Sequence, residues 1–302
     1  MKKFELTTDF ITFCGVKLFR IRALIEFSDV KAGEVGGYVE KEKNLSQLGE
    51  AWVSDNAKVF GNAEVFGEAW ISGNAKVFGE AEVFGNTKVF DNAEVSGNAK
   101  VLGNAWVSGN AKVLGNAEVF GNTWVSGNAE VFGNTKVFDN AEVSGNAKVL
   151  GNAWVSGNAK VLGNAEVFGN TWVSGNAEVF GNTKVLGNAK VSDKVWIFDN
   201  AEVSGNTEVS GNTWIFGDAK VSGNAKVLGD ADYATIKGFG KICRTTTFFR
   251  EKDRIAVSCG CFYGGLDDFR ERVKETYKDN KKGKEYLMIA DLMEYHFKKE
   301  EE

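Results

Sequence analysis

Few residues in this chain could do chemistry. The one histidine, His296, would serve as a general base only with a nucleophile or water within hydrogen-bond reach. It falls in the last helical stretch near the tail, where a lone histidine reads as a surface residue. The four cysteines, Cys14, Cys243, Cys259 and Cys261, stand outside the regular part of the sequence. Cys259-Gly-Cys261 suggests a metal or redox pair, but the spacing is not C-x-x-C and no nearby histidine completes a zinc set. Reduced, half-buried strand cysteines are the expectation. Gly36-Gly37 before Tyr38 could approach a phosphate; the competing reading, preferred here, makes them the first tight corner of a coil. The carboxylates Glu118, Glu130 and Glu166 alternate with lysines in charge ladders, an arrangement that does not imply catalysis. No nucleophile is paired with a base and no loop cradles phosphate. The sequence therefore predicts no catalytic residue, no cofactor and no metal site.

Most of the chain is instead devoted to a repeat. From Ala51 to about Asp232 the order apolar, any, Gly, Asn, Ala, any recurs, as in Val59-Phe60-Gly61-Asn62-Ala63-Glu64. Positions 53, 59, 65 and onward to 227 are all Val or Ile, thirty copies without an insertion. Such self-similarity marks a solenoid. A helix turns 100° per residue and cannot hold apolar residues at i and i+6 on one face. A coil of short strands can, with Val inward, Gly-Asn at the corner and a small Ala or Thr inside it.

The residue before each Val sets the number of strands per turn. Every eighteenth residue from Lys76 reads Lys76, Glu94, Lys112, Glu130, Lys148, Glu166, Lys184, Glu202, Lys220, an unbroken alternation of charge. Every twelfth residue shows no order. Eighteen residues per turn stacks opposite charges about 4.8 Å apart, the interstrand spacing, where neighbours attract. The expected fold is an all-β solenoid: a parallel β-helix with three hexapeptides per turn and about ten regular turns.

The pattern Val-x-Gly-Asn-Ala-x resembles the hexapeptide repeat of left-handed parallel β-helices, best known from bacterial acyltransferases. The left hand of the coil is expected from that resemblance alone. The passage Asp29 to Val39, with Asn44-Leu45-Ser46-Gln47, resembles the start of the YdcK-like family of hexapeptide-repeat putative transferases. The resemblance implies a CoA-dependent acyltransferase with a histidine base and an acyl-donor groove between subunits. The loops that commonly wall such grooves find no counterpart in the thirty uninterrupted copies.

Outside the core, the residue after each Val is Phe, Leu or Ser. On the face of the charge ladder this column reads Phe60, Phe78, Ser96, Leu114, Phe132, Leu150, Phe168, Leu186, an apolar ridge. Such strips usually mean contact with something; the alternative is a ladder of rings covered by lysine stems. Trp196-Ile197-Phe198 and Trp214-Ile215-Phe216 stack on one face and form the best candidate patch for a partner. Residues 93–138 are copied at 141–186 with one difference, Phe138 against Leu186. The shift is eight hexapeptides, not a multiple of three, so each copied side chain moves to another face. Copying of that kind would not preserve a site.

Residues 1–50 are expected to form an N-terminal β cap and a first irregular coil, with strands near Phe10–Phe13 and Leu18–Ile25 covering the open end of the prism. Residues 51–232 form the β-helix. Residues 233–302 form a C-terminal cap: a hairpin turning at Glu251–Arg254, then two helices. The chain has no proline and a net charge of −5 with both signs intermixed. That suits a hydrogen-bonded stack and suggests neither a nucleic-acid footprint nor a membrane patch. No run approaches membrane-spanning length and no signal-peptide core is present, so a cytoplasmic location is expected. Together these features predict a rigid, non-catalytic scaffold that associates with itself. The alternatives are a protein-binding module, such as a bacterial or phage-encoded inhibitor, and the acyltransferase that the resemblance implies.

Overall fold

A computed structural model describes residues 2–298. The chain is a parallel β-solenoid of about eleven turns with an antiparallel sheet and two helices at its C-terminal end. It divides into two compact units, Met1–Asn164 and Ala165–Glu302.

In the first unit, strand β1 (Phe4–Phe13) pairs antiparallel with β2 (Val16–Ala23). The turn between them is Cys14-Gly15, both at positive φ. Strand β3 (Val35–Val39) pairs antiparallel with β2 on one side and parallel with Lys58–Val59 on the other. Thus the N-terminal strands extend one sheet of the solenoid. Gly36 and Gly37 are not a corner. They sit within β3, where a Cβ on Gly36 would fall 2.5 Å from the Val53 carbonyl oxygen and 2.6 Å from the Trp52 ring. They are glycine because β3 lies directly on the first regular coil.

From Trp52 onward each hexapeptide contributes one short rung strand, and successive rungs pass to different sheets. Partners lie eighteen residues apart: Glu94 pairs with Lys76 on one side and Lys112 on the other, and Lys112 pairs next with Glu130. The inward Val and Ala columns are fully buried throughout. Corners need the left-handed region. Gly133 has φ +93°, and a Cβ there would meet the Gly151 carbonyl oxygen at 2.6 Å. Five corners use Asp in place of Gly, for example Asp91 at φ 59°. There the carboxylate accepts from the backbone N–H one turn on, as Asp91 Oδ2 does from Gly109 at 3.0 Å. The corner asparagines form a ladder, with Asn98 donating to Asn116 at 2.9 Å and Asn116 to Asn134 at 2.8 Å.

The second unit has the same coil geometry from Glu166–Gly169 to Lys226–Val227. A four-stranded antiparallel sheet follows, with the expected hairpin at its centre: β4 (Tyr233–Phe239), β5 (Arg244–Arg250), β6 (Ile255–Cys259) and β7 (Phe262–Gly265). Alternation along β5 sorts its side chains. Phe248 joins the core under helices α1 (Leu266–Tyr277) and α2 (Lys281–His296). Thr247 points the other way and accepts from Lys220 N at 2.9 Å on a late rung. Arg270 clamps α1 to α2 through Asp291 and Glu294 at 2.9 and 2.5 Å.

Candidate interaction surfaces

The ridge column of the first unit lies on the sheet of the charge ladder, as the eighteen-residue spacing requires. It is not a continuous exposed strip. Phe60 and Phe78 stack at 4.9 Å and are half-buried, with Phe13 edge-on to Phe60 at 5.8 Å. Ser96 is buried and interrupts the column, and beyond it Leu114 and Leu150 flank Phe132 in register. Phe132 is 51% exposed. In the second unit Phe168, 53% exposed, pairs with a half-buried Leu186. The ridge is a self-covered ladder at Phe60–Phe78 and has open rings at Phe132 and Phe168.

The ladder itself departs from alternation at its start, where Lys58 pairs with Lys76. Burial, and next the Lys76 charge, holds the Lys58 ammonium below its ordinary pKa. Both ammonium groups lie over the Phe13 ring, at 5.4 and 5.7 Å, so a cation–π contact offsets part of the repulsion. A second ladder, not anticipated, runs on a neighbouring face, where Lys100 meets Glu82 and Lys136 meets Glu118, each at 3.2 Å. Reading every eighteenth residue from Glu82 would have found it.

The aromatic patch of the second unit is more extended than expected. Trp196 stacks on Trp214 at 5.2 Å, and Phe198 on Phe216 at 5.4 Å. Phe180, which was not anticipated, stacks on Phe198 at 5.3 Å and meets Trp196 edge-on at 6.3 Å. Phe198 is edge-on to Trp214 at 6.2 Å. Five rings thus form two columns locked in a herringbone, with Trp214 and Phe216 close to half exposed. In-column spacing follows the rung spacing, and the edge-to-face contacts between columns suit the ring quadrupoles. A smaller stack, Trp106 on Trp124 at 5.3 Å, lies in the first unit.

The residues first considered for chemistry are scattered. His296 ends α2, exposed, with its ring against Phe297. All four cysteines are free; Cys259 is half-buried on β6 as expected, but Cys14, Cys243 and Cys261 are exposed in turns. Among the described residues no group of three or more His, Cys, Asp or Glu could hold a metal ion, and no helix is long and apolar enough to cross a membrane. Comparison of the sequence with known protein families and with curated proteins finds no match.

Proposed function

We propose that this protein is a rigid, non-catalytic scaffold of the hexapeptide-repeat, left-handed type. On this reading it works in the cytoplasm by associating with protein, in the first instance a second copy of itself. The observation that supports it is the herringbone of Phe180, Trp196, Phe198, Trp214 and Phe216. Its backbone is hydrogen-bonded from rung to rung, so the rings are presented without the ordering cost that a loop would incur on binding. A flat, uncharged aromatic strip needs no complementary charge, and two copies related by a two-fold axis can offer it to each other.

Sedimentation velocity across a range of concentrations tests this. Wild type is expected to form dimers or larger species, and W196E/W214E, altered at exposed positions, to remain monomeric with unchanged circular dichroism. A wild-type monomer at every concentration refutes self-association. The acyltransferase reading, which rests on the repeat resemblance, is tested by calorimetric titration with acetyl-CoA, where saturable tight binding would overturn the non-catalytic assignment.

A further inference from the structure

The C-terminal cap contains a cavity of about 250 Å³ that the scaffold reading does not use. Its apolar walls come from four places. Phe239 and Ile242 lie at the β4–β5 connection, Phe262 on β7, Phe269 and Val273 on α1, and Tyr286 on α2. Lys241, Arg244 and Arg272 also line it, and no carboxylate does. In a chain of net charge −5, three cations around one apolar cavity are a local inversion of sign. Arg272 shares its guanidinium with Glu275 at 3.3 Å on the exposed side of α1. Lys241 and Arg244 have no ion-pair partner among the described residues.

Two glycines shape the walls. At Gly260 a Cβ would fall 2.2 Å from Nη1 of Arg244, so the missing side chain is what lets the guanidinium lie across the β6–β7 turn. At Gly240, φ +77°, a Cβ would fall 2.7 and 2.8 Å from the hydroxyls of Tyr286 and Tyr277. Tyr286 donates to the Phe239 carbonyl at 3.1 Å. Tyr277 Oη accepts from Lys241 N at 3.3 Å, and its own proton has no acceptor among the described residues. Burial, and next the neighbouring Cys259, pushes the Tyr286 phenol up to about 12, so it stays neutral at physiological pH.

We propose that this cavity binds a small amphipathic anion, an aromatic or short aliphatic carboxylate. The apolar part rests against Phe239, Phe262 and Phe269. The carboxylate faces Lys241 and Arg244, with the Tyr277 hydroxyl as a further donor. Few polar groups converging on an apolar hollow is the ordinary anatomy of a ligand site, and hydrogen bonds to an ionised group are the strong ones. At ~30 Å³ per water the space holds about eight waters, which sets the ligand at roughly ten non-hydrogen atoms.

The test is calorimetry and NMR titration of the full chain with 1-naphthoate, octanoate and, as the cationic control, 1-naphthylmethylamine. At least one carboxylate is expected to bind saturably and the amine not to bind. K241Q/R244Q is expected to weaken the carboxylate by about tenfold or more. T276W, which fills the cavity from an exposed position on α1, is expected to abolish binding with circular dichroism unchanged. Should K241Q/R244Q misfold, T276W decides alone. The proposal is overturned by no saturable binding of either carboxylate up to about 10 mM, by equal binding of the amine, or by binding that survives T276W.

Discussion

Seven corner threonines sit inside the coil where most repeats have alanine, and they are not equivalent. Thr87, Thr123, Thr135, Thr171 and Thr183 are fully buried with Oγ1 unpaired. Thr207 and Thr213 are just as buried, but each donates to the carbonyl three residues back, Thr213 to Ser210 at 2.7 Å. The residue three positions back is Phe in all five unpaired cases and Ser in both paired ones. Valine keeps the shape of threonine and replaces the hydroxyl with methyl, so the same substitution should act with opposite sign. Leaving a buried hydroxyl unpaired costs about 1–3 kcal/mol, so Thr183→Val should stabilise by about 1–2 kcal/mol once repacking is allowed for. Thr213→Val removes a hydrogen bond worth about 1 kcal/mol and should destabilise by about that much. Both lie in the second unit, so local stability along a repeat array does not confound the pair. Urea unfolding followed by tryptophan fluorescence reads the difference as midpoints moving in opposite directions. Both midpoints moving the same way would refute the assignment of the five hydroxyls as unpaired.

Asp193, at φ 63°, accepts from Gly211 N at 3.1 Å; Asp193→Gly should be near neutral, since relief of the left-handed backbone offsets the lost hydrogen bond, whereas Asp193→Ala should cost about 1–2 kcal/mol in urea midpoint analysis. Lys112→Glu places a third carboxylate in register between Glu94 and Glu130; it should cost about 1 kcal/mol at low salt and much less at 1 M salt, where the Debye length is about 3 Å, and a salt-independent loss would contradict that register. Lys3 is buried and its pKa is lowered by burial to about 8. Below pH 8 both states hold its proton and the folded state carries the full penalty, up to about 3 kcal/mol; between pH 8 and 10.5 the unfolded chain holds more protons, so stability should rise with pH, and Lys3→Met should remove that rise.

The coil was legible because everything that fixes it is local and repeated. A Val every six residues sets the inward face, and a charge that alternates every eighteen sets the turn, as the Glu94–Lys112–Glu130 register bears out. The two helices were legible from spacing at Leu266, Phe269 and Val273, all buried. Misreadings fell where partners are distant and unrepeated. Gly36 and Gly37 look like a turn pair, but their cause is the close approach of the first regular coil: the Val53 carbonyl and the Trp52 ring at Gly36, the Ala57 carbonyl and Val53 at Gly37. The β5–β6 hairpin was legible from its local turn at Glu251–Arg254, whereas the pairing of β4 and β7 to it depends on long-range register that no period encodes. Phe180 precedes Phe198 by eighteen residues but closes a Glu-Val-Phe triplet, so the Trp-Ile-Phe pattern does not mark it. The cap cavity had no signature at all: its cations come from separate elements.

The ends bear on how such a scaffold could assemble. In a parallel coil every rung N–H outside the strand pairs donates to the carbonyl of the next turn, as Lys76 does to Ala93. The first turn therefore has carbonyls without donors, and the last has N–H groups without acceptors. The chain meets each need with side chains of the matching kind. Lys3 Nζ donates to Ala51 O at 2.7 Å, and Asn44 Nδ2 to Ala63 O at 2.8 Å. In the second unit Asp230, Glu251 and Asp232 accept from the N–H groups of Trp214, Asn224 and Leu228 at 2.8, 3.0 and 2.9 Å. An open edge is a template for adding another strand, and these edges are occupied. Growth by adding coil to coil would first have to displace a buried lysine at one end or a set of carboxylates at the other. The self-association proposed above would therefore use the faces of the coil, where the herringbone lies.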